Sequence, residues 1–386
     1  MLNIEKECCG CQACYNKCPK NAIEMIEDEK GFKYPKINKE KCINCGLCEK
    51  VCPVLAGNNI KNTPKAYACI NKNEDIRMHS SSGGVFSVVA TYIIKKGGVV
   101  FGAAWNDDFT GVGHTYVNNI DELSKLRGAK YVQSDINKSY TQAKKFLDDG
   151  KYVLFSGTPC QIEALKMFLG RDYERLFLQD IICHGVPSPK AWNSYKEFMQ
   201  KQNNSKLLSN MQFRNKEKEG WNKYHVRIDF PNNNSYDMAH GKDIYMKAFL
   251  KNITLRESCT SCKFKKENRL SDITLADFWG INNIKPEMND EKGTSLVIVN
   301  SKKGELLFNE IASELKFEQV DFYEAIKSNP SMNTVSQKNE KSDKFFLEMD
   351  EMPFNILVKR YVSSSSFMKK SISKTRRILK RIFNIK

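Results

Sequence analysis

Residues 152–170 read YVLFSGTPCQIEALKMFLG, which predicts a strand, a sharp turn and a helix. The apolar run before the turn is typical of a buried parallel strand. Thr158 and Pro159 suit the cap and the first position of a helix, and Gly170 suits its end. Cys160 therefore lies in the first turn of a helix above a strand end, the edge at which open α/β sheets bind ligands.

The same plan recurs over residues 66–335, where strand-like and helix-like segments alternate. Residues 176–182 predict a second strand, which Cys183 follows in the same kind of turn. Cys259 and Cys262 form a C-x2-C loop before a further strand. The alternation predicts an α/β (α+β) fold for this part of the chain.

Length and charge restrict the classes of protein that the chain can represent. The 386 residues suggest two or three domains. The net charge of +16 is concentrated at the end, since residues 361–386 hold eight Lys or Arg and no acidic residue. The remaining charge is a weak signal, so we expect no nucleic-acid partner. We see no apolar N-terminal segment and no run of about 18 apolar residues, so we expect a cytoplasmic protein without a membrane span.

Fourteen cysteines in such a chain indicate metal or redox chemistry rather than a disulfide framework. Eight of them form two copies of C-x2-C-x2-C-x3-C-P, 34 residues apart. This spacing is that of two-cluster bacterial ferredoxins, in which the fourth cysteine of each copy binds the other 4Fe–4S cluster. The predicted ligand sets are Cys8, Cys11, Cys14 and Cys52 for one cluster and Cys42, Cys45, Cys48 and Cys18 for the other.

The alternative for these eight cysteines is a pair of zinc sites. Zinc sites need neither the third close cysteine nor the terminal C-P, so the ferredoxin interpretation is favoured. We expect a small ferredoxin-like domain at 1–57 and a polar linker at 58–65. Cys9 is out of register and is interpreted as an incidental thiol, and Cys69 is interpreted as a core position in a strand.

Four further cysteines come from three elements that can meet at one edge of a sheet: Cys160, Cys183, Cys259 and Cys262. Four thiolates suit a third iron–sulfur cluster or a structural zinc ion. Alternatively Cys160 is a nucleophile, since a helix N-terminus lowers the pKa of a thiol, or the thiols serve packing alone. Their spacing leaves these alternatives open.

Two further stretches suit a nucleotide cofactor. HSSSGGVF at 79–86 opens a helix predicted at 85–95. Its free backbone N–H groups predict either a binding site for the phosphates of the cofactor or an ordinary capped helix. In RGAKYVQSD at 127–135, Lys130 can pair with a phosphate and Tyr131 can stack on a ring. The alternative for the second stretch is a solvated loop.

Taken together, SSGGVF, GAKYVQSD, SGTPCQIEAL, CHGVPSPKAW and C-x2-C…SDITLADFWG resemble the family of coenzyme F420 hydrogenase/dehydrogenase beta subunits. The stretches come in the family's order over residues 66 to about 300, and the ferredoxin unit resembles a common N-terminal addition. The resemblance implies FAD and one 4Fe–4S cluster in the larger domain, with the cluster held by Cys160, Cys183, Cys259 and Cys262. The FAD contacts that it implies are Ser81, Ser82, Gly83, Gly84, Val85, Lys130, Tyr131, Gln133, Ser156 and Gly157.

The function implied by the resemblance is that of an iron–sulfur flavoprotein oxidoreductase. Electrons would pass through FAD between the ferredoxin-type clusters and a two-electron partner, either the deazaflavin F420 or another small acceptor. The expected partner is an electron donor or acceptor protein, or a small two-electron carrier. No catalytic side chain is assigned, although His184 and Asp277 flank predicted ligands and are candidates for proton transfer.

Two other functions compete with this one. The first is an electron-transfer or scaffold protein without flavin. The second is a zinc protein that binds nucleic acid, which the lack of a basic recognition helix disfavours.

Residues 336–360 are predicted to connect the larger domain to a basic amphipathic tail at 361–386. Apolar residues near helical spacing among the basic ones predict contact with an anionic membrane surface, which would place the protein peripherally at the inner membrane face. A solvated tail and a partner-binding helix are the alternatives.

Overall fold

The computed structural model of the protein describes residues 4–57 and 60–362. Most of the predicted tail at 361–386, and with it the predicted membrane contact, lies outside the described residues. None of the described helices is long and apolar enough to cross a bilayer. The helix Pro189–Gln202 has 14 residues, whereas a membrane-spanning helix needs about 20.

The helices and strands are numbered in chain order. The strands are β1 (Ile23–Glu27), β2 (Lys33–Ile37), β3 (Lys65–Asn71), β4 (Val99–Trp105), β5 (Val112–Val117), β6 (Ser134–Asp135), β7 (Val153–Ser156), β8 (Leu176–Ile181), β9 (Asn210–Asn215), β10 (His225–Asp229), β11 (Ser235–Ala239), β12 (Ile273–Asp277), β13 (Ser295–Val299) and β14 (Leu315–Val320). The helices are α1 (Ala13–Lys17), α2 (Leu47–Lys50), α3 (Pro53–Ala56), α4 (Glu74–Met78), α5 (Val85–Lys95), α6 (Ser139–Asp148), α7 (Pro159–Leu169), α8 (Pro189–Gln202), α9 (Ile244–Leu250), α10 (Ile281–Ile284), α11 (Lys302–Ile311), α12 (Phe322–Lys327), α13 (Ser342–Leu347) and α14 (Phe354–Tyr361).

The repeat in the N-terminal sequence is also a repeat of the backbone. α1 and α2 follow Gln12 and Gly46, which have left-handed φ values of 59° and 69°. Gly10 and Asn44, two residues earlier in each copy, are also left-handed, at 69° and 51°. A left-handed backbone conformation costs a residue with a side chain roughly 1–2 kcal/mol. Two such residues at matching positions of both copies therefore show that the same backbone turn is a specific feature of the repeat. The hairpin of β1 and β2, with Ile23 opposite Ile37, separates the copies.

The larger domain is built on one mixed sheet in the order β14-β3-β13-β12-β8-β7-β4-β5-β6. β12, β8, β7 and β4 are parallel, and the strands on either side of this group join it in antiparallel fashion. Helices α5 and α11 cover one face of the sheet, and α6 and α7 cover the other. This architecture confirms the predicted α/β domain behind a small ferredoxin-like unit.

The predicted start and end of α7 are confirmed. Thr158 and Gln161 form a capping box, in which Thr158 N donates to Gln161 Oε1 at 2.9 Å. Pro159 stands at the start of the helix, and Gly170 ends it with a left-handed φ of 69°. Cys160 is therefore held in the first helical turn by local sequence alone.

A second core lies outside the large sheet. β9, β10 and β11 form an antiparallel sheet that packs with α8 and α9. Residues 336–360, predicted to connect the larger domain to the tail, contain α13 and most of α14, and bury Phe345, Phe354 and Leu357 in the same core as Trp192 of α8. Both helices are shorter than ten residues, so their aromatic residues showed no sustained helical period in the sequence.

Candidate iron–sulfur and cofactor sites

The second ferredoxin cysteine set encloses a cavity with the last cysteine of the first set. Cys18, Cys42, Cys45 and Cys48 line this cavity of about 90 Å³. Its other walls are mostly apolar and include Ile23, Ile37 and Leu47. The structure thus brings together the crossed set of cysteines that the cluster prediction requires.

The first ferredoxin set gathers around Cys14. Burial, and after it the neighbouring thiols Cys8 and Cys52, raise the pKa of Cys14 to about 12. Cys11 is buried as well, with 7% of its surface exposed. Cysteine binds metal as the thiolate, so this set needs the positive charge of a metal centre to ionise.

The remaining four predicted ligands also meet in one place. Cys160 at the start of α7, Cys183 after β8, and Cys259 and Cys262 beside the 3-10 turn Glu257–Ser261 line a cavity of about 40 Å³. That volume has room for more than one water-sized atom. Cys160 and Cys183 meet because β7 and β8 are parallel neighbours, whose carboxyl ends share one sheet edge. We call Cys160, Cys183, Cys259 and Cys262 the quartet.

Burial keeps the thiols of the quartet protonated in the absence of a cation. Burial is the main cause of the raised pKa of Cys183, Cys259 and Cys262. The pKa of Cys259 reaches about 12. A hydrogen bond with Cys9, followed by burial, raises the pKa of Cys160. These raised values disfavour a nucleophilic role for Cys160, because the thiolate is the nucleophile.

The donor chemistry of the quartet fits a metal centre. Four thiols without histidine or carboxylate are the ligand set of iron–sulfur clusters and of zinc sites with four cysteine ligands. Within residues 4–57 and 60–362, no three His, Cys, Asp or Glu side chains form a group able to hold a single metal ion. In a cluster each thiolate binds a separate iron atom, which four thiols around one cavity can provide.

Cys9 has a role that its place in the sequence did not suggest. It is buried, it lines the same cavity as the quartet, the neighbouring Cys11 thiol raises its pKa, and it in turn raises the pKa of Cys160. Cys9 therefore joins the first ferredoxin set to the quartet, rather than being an incidental thiol. The position of Cys9 in the sequence, out of register with the repeat, did not predict this contact.

Arg256 fastens the ferredoxin unit to the larger domain. Its side chain has no exposed surface, and it donates to the carbonyls of Cys8 (2.7 Å) and Lys33 (3.0 Å) and to Gln133 Oε1 (3.0 Å). Gln133 Nε2 in turn donates to the carbonyl of Cys9 at 3.1 Å. A buried guanidinium is costly to leave unpaired, so these bonds fix the first ferredoxin set beside the quartet.

A cleft of about 890 Å³ opens between β4, β5 and β9. Its lining includes the aromatic residues Trp105, Phe109, Tyr116 and Phe213 and the cations Lys125, Arg127 and Lys130. Cofactor pockets commonly have volumes of about 300–1,000 Å³. Aromatic faces suit a ring system and cations suit a diphosphate, so the cleft fits a dinucleotide such as FAD.

The predicted FAD contacts do not all reach this cleft. Ser81 and Lys130 line it, whereas Gln133 lines the cavity of the quartet. Tyr131 stacks on Phe249, with ring centroids 4.9 Å apart. The segment that contains Lys130 and Gln133 therefore borders both sites.

The predicted contacts at the end of β7 and the start of α5 lie away from the cleft lining. The Ser156 carbonyl pairs with His114 Nε2 at 3.0 Å, and its hydroxyl accepts a bond from Gln179 Nε2 at 3.0 Å. A Cβ on Gly157 would lie 3.0 Å from Gln161 Oε1. Val85 is 1% exposed and belongs to the core between α5 and the sheet.

The Ser-Ser-Gly-Gly loop is bound to the sheet. Ser82 Oγ donates to the Thr294 carbonyl at 2.8 Å, and Gly83 N donates to Ser295 Oγ at 2.9 Å. A Cβ on Gly83 would lie 2.4 Å from the Cys69 carbonyl oxygen. The glycine is thus required by close packing on β3 and β13, and Gly84 has the left-handed φ of 83° that starts α5.

Two basic side chains that line the cleft have lowered pKa values. Burial lowers the pKa of Lys130 to about 7, and its Nζ donates to the Arg127 carbonyl at 2.9 Å. Burial also lowers the pKa of Arg127, whose Nε donates to Ser87 Oγ at 3.0 Å. Arg127 was not predicted from the sequence, although it directly precedes the GAKYVQSD stretch.

The two proton-transfer candidates have structural partners. Asp277 accepts two hydrogen bonds from Arg214, at 2.8 and 2.9 Å, and a third from Trp221 Nε1 at 2.8 Å. His184 Nε2 pairs with Asn252 Oδ1 at 2.7 Å. The hydrogen bonds of both side chains thus connect separate structural elements.

A two-cluster ferredoxin unit, fixed by a buried arginine beside four further clustered thiols, defines an iron–sulfur electron-transfer protein. Residues 150–324 match the family model that describes the C terminus of the coenzyme F420 hydrogenase/dehydrogenase beta subunit. Residues 7–56 match the model of a 4Fe-4S dicluster domain. The chain therefore joins a 4Fe–4S dicluster domain to a region similar to the C terminus of the coenzyme F420 hydrogenase/dehydrogenase beta subunit.

Curated relatives match different parts of the chain. The F subunit of the F(420)H(2) dehydrogenase of Methanosarcina mazei is 23% identical over 44% of this chain and 51% of its own length. The coenzyme F420-dependent sulfite reductase of Methanocaldococcus jannaschii is 23% identical over 87% of this chain and 51% of its own length. A polyferredoxin-like protein of the same organism is 46% identical over 14% of this chain and 36% of its own length. The chain thus spans about half or less of the length of these relatives.

Among solved structures, the F420-reducing NiFe hydrogenase complex from Methanosarcina barkeri is similar. The match covers 74% of this chain and 90% of the other, with 17% identity and a TM-score of 0.47.

Proposed function

We propose that the protein is an iron–sulfur flavoprotein that transfers electrons between the ferredoxin centres and a two-electron partner. In this proposal the quartet holds a third 4Fe–4S cluster, and the cleft of β4, β5 and β9 holds FAD. Two of the relatives are named for coenzyme F420, so this deazaflavin is the first candidate for the two-electron partner. A different small acceptor is the second.

The observation that carries the proposal is the closeness of the three sites. Lys130 lines the cleft and Gln133 lines the quartet cavity, and three residues of extended chain span at most about 11 Å. Cys9 lines the quartet cavity, and the neighbouring Cys11 thiol of the first ferredoxin set raises its pKa. The first ferredoxin set, the quartet and the cleft are therefore neighbours in the fold.

A bound cluster supplies one-electron transfer, and a bound flavin supplies both one-electron and hydride transfer. The residues of the chain bind, orient and shield these groups. Phe264 and Val54 line the quartet cavity and exclude water from it. Arg127 and Lys130 present positive charge to phosphate groups, while Trp105 and Tyr116 offer ring faces.

The proposal is tested by cofactor analysis of protein purified without oxygen. We expect about 12 iron and 12 sulfide per chain, together with one FAD released by heat. A full iron content with no extractable flavin would instead identify an electron-transfer protein without flavin. One zinc per cysteine quartet with little iron would identify a zinc protein.

The substrate is tested separately on the flavin-loaded protein. Reduced F420 and reduced nicotinamide nucleotides are offered as donors, and bleaching of the flavin and cluster absorbance is followed. Bleaching by reduced F420 alone would identify the deazaflavin as the partner.

A further inference from the structure

The two ferredoxin centres differ in how deeply the chain buries them. Cys8, Cys11, Cys14 and Cys52 each have 8% or less of their surface exposed. In the second set Cys42 and Cys48 are half-buried, and Cys45 is the one exposed cysteine in the described part of the chain. The difference follows from packing, because Cys11 and Cys52 of the first set belong to a buried apolar cluster with residues of α7, whereas Cys42, Cys45 and Cys48 belong to none of the buried clusters of the described residues.

The surface around the second set is basic with an apolar centre. Ile43 is 58% exposed and lines the cavity of this set. Residues 19–21 and 39–50, here called the ferredoxin face, carry four lysines and two glutamates, a net charge of +2. The lysines are all exposed, and none forms an ion pair with another described residue: Lys20, Lys39, Lys41 and Lys50.

We propose that the ferredoxin face docks an acidic one-electron carrier protein. An exposed apolar residue within a rim of unpaired charge is the composition of small, transient interfaces between proteins. Positive charge on the face attracts a negatively charged carrier and orients it at encounter. The carrier thereby reaches the most exposed ligand, Cys45, rather than the enclosed first set.

The exchange at this face is a simple electron transfer. The carrier loses one electron and the centre held by Cys18, Cys42, Cys45 and Cys48 gains it, and no bond is formed or broken. The reverse transfer uses the same contact. The inference rests on the proposed electron-transfer function only for the ferredoxin centres, and it requires neither the flavin nor the two-electron partner.

The test compares two double variants with equal changes of charge. In the first, Lys20→Glu and Lys41→Glu reverse two charges of the ferredoxin face. In the control, Lys201→Glu and Lys206→Glu reverse two exposed charges at and after the end of α8. Only preparations with the iron and sulfide content of the wild type are compared, and EPR spectra verify that their ferredoxin centres are intact.

The probes are a strongly acidic two-cluster ferredoxin reduced with titanium(III) citrate, and the small cationic dye methyl viologen in its reduced form. Stopped-flow absorbance measures the rate at which each probe reduces the iron–sulfur chromophore. We expect the Lys20/Lys41 variant to react with the ferredoxin about tenfold more slowly at low ionic strength. High salt should remove most of this difference, since it screens exposed charges. The control variant should stay within about twofold of the wild type.

Wild-type rates of the Lys20/Lys41 variant with the ferredoxin at low ionic strength would overturn the inference. Equal slowing with methyl viologen would overturn it as well, because the substitutions would then act on the centre and not on docking. As a second variant, Ile43→Ser should slow the ferredoxin reaction without changing its salt dependence. A protein that lacks flavin but shows this pattern would refute the proposed flavoprotein function and leave the docking surface intact.

Discussion

The Cys9 and Cys160 thiols line one cavity at the boundary between the ferredoxin unit and the α/β domain, and Cys9 raises the pKa of Cys160. The two residues are 151 positions apart in sequence, and each belongs to a different group of cysteines. Cys9 adjoins Cys8 of the first ferredoxin set, and Cys160 begins the quartet. Their shared cavity therefore brings the first ferredoxin set and the quartet together.

Substitution of Cys160 tests the third centre directly. We expect Cys160→Ser to lower the iron content by about four atoms per chain, because one ligand of the quartet is lost, and to leave the ferredoxin pair intact. Iron and sulfide analysis with EPR of the reduced protein measures both quantities. Cys69→Ser is the matched control, since Cys69 is a fully buried strand residue and should keep all the iron. Unchanged iron with loss of activity in Cys160→Ser would restore the nucleophile interpretation.

We expect Cys9 to change the reduction potential of a cluster without being one of its ligands. Hydrogen bonds to ligand sulfur atoms raise the reduction potential of an iron–sulfur cluster. Removal of the donor in Cys9→Ala should therefore leave the iron content unchanged and lower the midpoint potential of the first ferredoxin centre, of the quartet centre or of both. A redox titration followed by EPR measures the shift, with Cys69→Ala as the control. Loss of iron in Cys9→Ala would show that Cys9 is itself a ligand.

Arg256 should dominate the stability of the domain contact. Arg256→Ala leaves the carbonyls of Cys8 and Lys33 without their donor, which should cost about 2–4 kcal/mol in the free energy of unfolding. Chemical denaturation measures this cost, and limited proteolysis reports any release of the ferredoxin unit. The control Arg227→Ala removes a partly exposed ion pair with Asp229 and should cost less than about 1 kcal/mol. Equal costs for the two variants would contradict the role assigned to Arg256.

The affinity of the cleft for an anionic cofactor should depend on pH through Lys130. Its pKa is lowered to about 7, so the ammonium form predominates below pH 7 and the neutral amine above it. Binding of a diphosphate favours the charged form, so we expect the affinity for FAD to fall as the pH rises through 7. Quenching of flavin fluorescence between pH 6 and 9 measures the dissociation constant.

The variant Lys130→Gln should bind FAD more weakly, and its affinity should not change over the same pH range. Lys145→Gln, which alters an exposed lysine on α6, should keep the wild-type pH profile. A pH profile shared by the wild type and Lys130→Gln would exclude Lys130 from the binding of the phosphates.

Features that depend on near neighbours could be predicted from the sequence. The spacing of eight cysteines, repeated after 34 residues, identified the ferredoxin unit, and the crossed ligand sets remain a prediction from the same spacing. The Thr-Pro start and the glycine end of α7 placed Cys160 in the first turn of a helix. The ferredoxin unit and the helix were predictable because ferredoxin loops and helix caps are set by residues a few positions apart.

Which distant residues meet depends on the tertiary structure. The strand order places β7 beside β8 and so joins Cys160 to Cys183, while the docking of the ferredoxin unit brings Cys9 to the same cavity. The cleft draws its aromatic lining from three strands, and in the sequence these side chains look the same as core residues. Long-range contacts depend on how whole elements pack, which no local pattern of polarity or spacing encodes.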